Sequence, residues 1–95
     1  METKEAYKKK LKAQLAEWQA QINLLAAKTE NKAADVSIKY ARELDELRSK
    51  QRKLSDKVKE LEQASGDAWQ DIKGNTDQLW NDLKTGIASA ISKFK

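Results

Sequence analysis

The chain has 95 residues, with no Cys, no His and no Pro, 36% charged residues and a net charge of +4. That length supports one small domain at most, and the missing Cys and His remove disulfides, thiol chemistry, the commonest general base and the commonest metal ligand. With only three Gly and 39% apolar residues, the composition reads as an all-α protein built from long helix or coiled coil.

The N-terminus reads Met-Glu-Thr-Lys-Glu-Ala-Tyr-Lys-Lys-Lys. No apolar stretch follows the lysines, so no secretory signal is expected and a cytoplasmic location is the default expectation. Thr3 suits an N-cap, with Glu2 and Glu5 near the positive end of the helix dipole. An apolar series then runs Tyr7, Leu11, Leu15, Trp18, Ile22 and Leu25, passes weakly through Thr29 and Ala33, and resumes at Val36, Tyr40, Leu44 and Leu47. Steps of three and four are the helix signal. From Leu47 the spacing turns heptad-like, through Gln51, Leu54, Val58 and Leu61.

No Gly or Pro interrupts residues 1–65. They are read as one long coiled-coil helix of roughly 90 Å at about 1.5 Å per residue. The weakest point is Lys28-Thr29-Glu30-Asn31-Lys32, which has no apolar residue. A turn near 29–32 would give a three-helix bundle and is the alternative. The long helix is preferred because an eleven-residue column passes from Leu25 to Val36 without a phase change.

Ser65-Gly66-Asp67 is the clear break. Gly66 suits a left-handed helix C-terminus and hinge, and Asp67 an N-cap with Gln70 three residues on. Residues 66–95 form the second unit, an amphipathic helix. In it Trp69-Gln-Asp71-Ile72-Lys73 recurs as Trp80-Asn-Asp82-Leu83-Lys84, and in degraded form as Ile91-Ser-Lys93-Phe94-Lys95. Gly74 and Gly86 are soft points within it, each weakening the helix by about 1 kcal/mol relative to Ala.

Eleven residues make three helical turns, so Leu25, Val36, Leu47, Val58, Trp69, Trp80 and Ile91 fall on one face. The expected architecture is a long helix plus a shorter C-terminal helix folded back antiparallel from Gly66, in a coiled-coil oligomer. The C-terminal stripe of Trp69, Ile72, Leu79, Trp80, Leu83, Ile87, Ile91 and Phe94 faces either the first helix or lipid. The N-terminal stripe of Tyr7, Leu11, Leu15, Trp18, Ile22, Leu25, Val36 and Tyr40 then lacks an intrachain partner, which points to self-association and a homo-oligomer.

Eleven-residue amphipathic repeats of the C-terminal kind resemble those of exchangeable apolipoproteins and synucleins, which lie on lipid, so a membrane surface is the alternative partner. Residues 66–95 are neutral, with four Lys against four Asp, so attraction to anionic lipid is weak. Residues 1–65 hold 15 Lys/Arg against 11 Asp/Glu. Their basic clusters, Lys8–Lys10 with Lys12 and Arg48–Lys59, alternate with acids, which leaves nucleic-acid binding a lesser alternative.

No catalytic, cofactor-binding or metal-ligating residue is assigned, and no small-molecule substrate is expected. Serines have no His partner, the glycines are isolated, and carboxylate pairs such as Asp67 with Asp71 lack the His of a helical metal site.

Three stretches carry a wider likeness: Leu11-Lys-Ala-Gln-Leu-Ala-Glu-Trp18, Tyr40-Ala-Arg-Glu-Leu-Asp-Glu-Leu47, and Ala64-Ser-Gly-Asp-Ala-Trp69 with Trp80. In these the chain resembles small bacterial stress-response coiled-coil proteins known from cyanobacteria and proteobacteria. The resemblance implies a non-enzymatic structural or interaction protein and supplies no catalytic residues.

Overall fold

Helix α1 spans Lys4–Thr29 and begins at Thr3, whose hydroxyl accepts a hydrogen bond from the Ala6 N–H at 3.1 Å. Glu5 in its first turn and Lys28 in its last suit the helix dipole. Helix α2 spans Ala34–Gln63 and α3 spans Ala68–Lys93. This computed structural model describes residues 3–94; Met1, Glu2 and Lys95 lie outside the described residues.

The single long helix over 1–65 is corrected: α1 stops at Thr29 and α2 starts at Ala34. The Thr29 hydroxyl bonds back to the Ala26 carbonyl at 2.7 Å, the local competition that weakens helices at Ser and Thr. Asn31 and Lys32 then donate backbone N–H groups to Lys28 and Thr29, and Ala33 is extended at ψ 152°. Packing explains the outcome. Residues 28–32 hold no apolar side chain, so little burial is lost by bending there, and folding back covers the whole stripe of α1. Tertiary burial overrides a favourable local phase.

Three helices therefore make the bundle, and no strand occurs among the described residues. It measures 52 × 18 × 17 Å. Lys12 meets Glu62 at 2.7 Å and Gln51 donates to Gln19 at 2.6 Å, so α2 runs antiparallel to α1. Tyr40 lies beside Lys93, and Leu47 beside Gly86, so α3 runs antiparallel to α2 and parallel to α1.

The core is one continuous seam. Tyr7, Leu11, Trp18, Ile22 and Leu25 of α1 meet Leu44, Leu47, Leu54, Val58 and Leu61 of α2, with Trp69, Leu83, Ile87, Ala90 and Phe94 from the third segment. Thr76 is fully buried and its hydroxyl donates to the Ile72 carbonyl at 2.8 Å, which satisfies it.

The helix ends are served across the bundle. No basic residue lies in the last turn of α2, but Lys4 Nζ of α1 donates to the Ala64 carbonyl at 2.8 Å. A cation thus meets the negative end of the α2 dipole from another helix. The Tyr40 hydroxyl does similar work for α3, donating to the Lys93 carbonyl at 2.9 Å. Asp67 sits at the α3 N-cap position but makes no side-chain cap bond; its carbonyl accepts from the Gln70 N–H instead. The expected capping box is corrected accordingly. Gly66 carries the one positive φ among the described residues, +59°, which favours a residue without Cβ.

Candidate functional site: the aromatic seam between the first and third helices

Tyr7 and Trp18 stand eleven residues apart on α1, and Trp69 and Trp80 eleven apart on α3. Because the two helices run parallel, equal spacing lets both pairs meet at one offset, 62 residues in each case (69 − 7 and 80 − 18). The Tyr7 and Trp69 rings lie 6.0 Å apart at 42°, and the Trp18 and Trp80 rings 5.0 Å apart at 59°. Tilted pairs at these separations are favoured by the ring quadrupoles. A third aromatic contact closes the far end, where Tyr40 stacks on Phe94 at 4.0 Å.

Polar groups flank the seam. The Tyr7 hydroxyl donates to Asp77 Oδ1 at 2.5 Å, and Lys73 donates to Asp77 Oδ2 at 3.0 Å. Lys73 Nζ also lies 5.1 Å from the Tyr7 ring centre, and Lys10 Nζ 6.0 Å from that of Trp80, both within cation–π range. Burial pushes the Asp77 carboxyl up, but the hydrogen bonds from Tyr7 and Lys73 and the charges of Lys73 and Lys10 outweigh it. They hold the group below its ordinary value of 3.8. Tyr7, Lys10, Asp77, Trp80 and Asn81 line a half-open cleft of about 210 Å³. Its groups fasten one helix to the other: the carboxylate is engaged on both oxygens by neighbouring side chains.

The N-terminal stripe is the larger correction. Tyr7, Leu11, Trp18, Ile22 and Leu25 are buried against α2 and α3 of their own chain, Leu15 is half-buried on the core, and Tyr40 is half-buried. Val36 alone of this set is exposed, at 36%. The stripe thus has an intrachain partner, and an open seam awaiting a second subunit is not what the fold presents. The physical reason is the turn at 30–33, which brings α1 onto the helices it was expected to leave uncovered.

In the C-terminal stripe Trp69, Leu83, Ile87 and Phe94 are buried, Ile72, Leu79 and Trp80 are partly buried against the core, and Ile91 is 39% exposed. The stripe faces protein, and its Trp residues turn toward Tyr7 and Trp18 of α1. Leu44, Leu47, Leu54, Val58 and Leu61 of α2 lie in the same core.

Sequence reasoning passed over two participants. Asp77 enters the sequence count only as one of four Asp in residues 66–95, yet it joins α1 to α3; its position four residues after Lys73 signals the pair within α3 but not the bond to Tyr7. Gly86 was read as a weak point of the helix. A Cβ there would stand 2.9 Å from Leu47 Cδ2, so the glycine marks a close helix–helix approach.

Among the described residues no group of three or more His, Cys, Asp or Glu side chains could hold a metal ion, and no helix is long and apolar enough to cross a membrane. Compared with known proteins, the chain matches no family model, no curated protein and no solved structure.

Proposed function

We propose that this chain is a non-enzymatic helical structural or interaction protein that acts by self-association, in the stress-related setting its resemblance to small bacterial coiled-coil proteins implies. One observation supports the reading above others: the matched aromatic register of α1 and α3. Two rows of large side chains with the same eleven-residue spacing form a specific helix-recognition surface. An α3 from the same chain or from a second copy satisfies that surface equally well. Sedimentation equilibrium from micromolar to millimolar concentration tests it. A mass that rises reversibly toward a dimer is the expected result; a monomer throughout that range overturns the reading.

A second reading has an observation of its own. Helix α3 gathers Trp69, Leu79, Trp80, Leu83 and Ile87 on one side, the pattern of a helix that lies in a membrane interface. Under that reading the bundle opens at Gly66 and α3 transfers to lipid. Vesicles of neutral and of anionic composition would then shift Trp emission to the blue. Unchanged emission at saturating lipid removes this alternative.

A further inference from the structure

We infer that the turn between α1 and α2 is a hinge on which two copies of this chain exchange their first helices, so that α1 of each packs on α2 and α3 of the other. The inference rests on the self-association reading and specifies its route.

The backbone of the turn carries the argument. Glu30 is already in the right-handed helical region at φ −62° and ψ −23°. Ala33 has φ −58° and ψ 152°, so its φ is helical and its departure from helix lies in ψ. The positive φ among the described residues falls at Gly66, in the other turn. Residues 28–36 contain neither Gly nor Pro. Ala33 makes no side-chain cap bond to α2, unlike Thr3 at α1. Straightening this turn therefore surrenders neither a left-handed residue nor a side-chain cap.

Phase supplies the second line. Leu25 and Val36 are eleven residues apart across the turn, so a continuous helix keeps them on one face. Thr29, Ala33, Val36 and Tyr40 would then extend the α1 stripe into α2 without a break. The straightened helix would run about 90 Å at about 1.5 Å per residue. Two such helices, paired antiparallel in the register that sets Lys12 against Glu62 and Gln19 against Gln51, cross near residue 36 and place Val36 of each copy against the other. In the closed bundle Val36 is 36% exposed, although Leu25 and Leu47 on the same column are buried. The rest of the exchanged interface is the intrachain interface already described, so its complementarity is inherited.

The second turn behaves differently. Ala64 is extended at φ −73° and ψ 135°, and Gly66 is left-handed at φ +59°. Straightening it would require Gly66 to leave its left-handed φ and Ala64 its extended ψ, so α2 and α3 remain together during the exchange. Lys28 and Lys32, four residues apart, repel mildly in a continuous helix, and Asn31 is a modest helix former. Both keep the closed monomer favoured when the chain is dilute.

Two thiol variants test the exchange, since the chain has no Cys of its own. Gln19→Cys and Gln51→Cys occupy positions whose side chains meet at 2.6 Å between α1 and α2. The two variants are unfolded together, refolded at high concentration, diluted and treated with a short bis-maleimide. Exchange predicts cross-linked pairs containing one chain of each kind. A dimer that yields no such pairs overturns the exchange and leaves self-association standing; absence of any dimer overturns both. Ala34→Pro separates the states further. Ala34 is the first residue of α2 and Ala33 before it is extended, which suits Pro in the closed bundle and breaks a continuous helix. It should keep the monomer's circular dichroism and weaken dimerisation at least ~100-fold. Asn31→Ala with Lys32→Ala should strengthen it about tenfold. Dimerisation unchanged in both variants overturns the hinge.

Discussion

Gly86 of α3 lies against Leu47 of α2 so closely that a Cβ on the glycine would sit 2.9 Å from Leu47 Cδ2. Leu47 is buried, at 4% exposure, so it has little room to yield. Gly86→Ala gains about 1 kcal/mol of helix propensity but overpacks at a cost of about 1–3 kcal/mol. The expected net result is a loss of about 1 kcal/mol in urea unfolding. At Gly74, where nothing lies within 4 Å, Ala should instead stabilise by about 1 kcal/mol. In a Leu47→Ala background Gly86→Ala should no longer destabilise. If it still does, the close approach is not the reason for the glycine.

The Tyr7–Asp77 bond sets an acid dependence. Asp77 is held below 3.8 in the folded chain, so the unfolded chain binds the proton more readily. The stability it contributes is therefore complete above the unfolded value and is lost as pH falls through the folded one. Glu62, lowered from 4.5 chiefly by its hydrogen bond from Lys12, adds in the same direction. Asp77→Asn should flatten the decline in melting temperature below pH 4. Tyr7→Phe should cost about 1 kcal/mol at neutral pH and flatten the same limb. An acid limb identical to the parent's in Asp77→Asn would show that this contact contributes nothing to it.

Gly66→Ala should destabilise by about 1–2 kcal/mol, the cost of a left-handed residue bearing Cβ. Nothing lies within 4 Å of that position, so the cost is conformational and Gly66→Asn should recover part of it. Thermal melts of the two variants, differing by several degrees, check this.

The eleven-residue column is uneven in burial, and truncation should reveal it. Leu47→Ala should cost about 2–5 kcal/mol. Ile91→Ala, at a position 39% exposed, should cost under about 1 kcal/mol. Equal losses at the two sites would contradict the described packing.

How legible these features were depends on what each residue does. Gly66 announced its turn because a left-handed backbone selects for glycine, and Thr3 announced its helix because an N-cap needs an accepting side chain. The turn at 30–33 left a fainter mark, the apolar gap at residues 28–32 that made a three-helix bundle the alternative. It ends on Ala33, extended at ψ 152°, and alanine is the best of helix formers. The apolar stripe of Tyr7, Trp18 and Leu25 was readable as buried surface, while its partner was not, because the partner depends on that one turn. The aromatic pairs could have been found by matching spacing: Tyr7 to Trp18 equals Trp69 to Trp80. The bond between Tyr7 and Asp77 could not, since neither residue predicts which face of the other helix it will meet.

The parallel pairing of α1 with α3 also dictates an order of assembly. Each contact between them closes about sixty to seventy residues of chain, as Tyr7 with Asp77 does. The contacts of α2 with either neighbour are seeded by turns of four residues, 30–33 and 64–67. Short closures form faster than long ones. The two antiparallel pairs should therefore form early, with the rings shared by α1 and α3 engaging last. A nascent or freshly unfolded chain thus passes through a stage in which Trp18 and Trp80 are both uncovered, before the last helix pair closes over them.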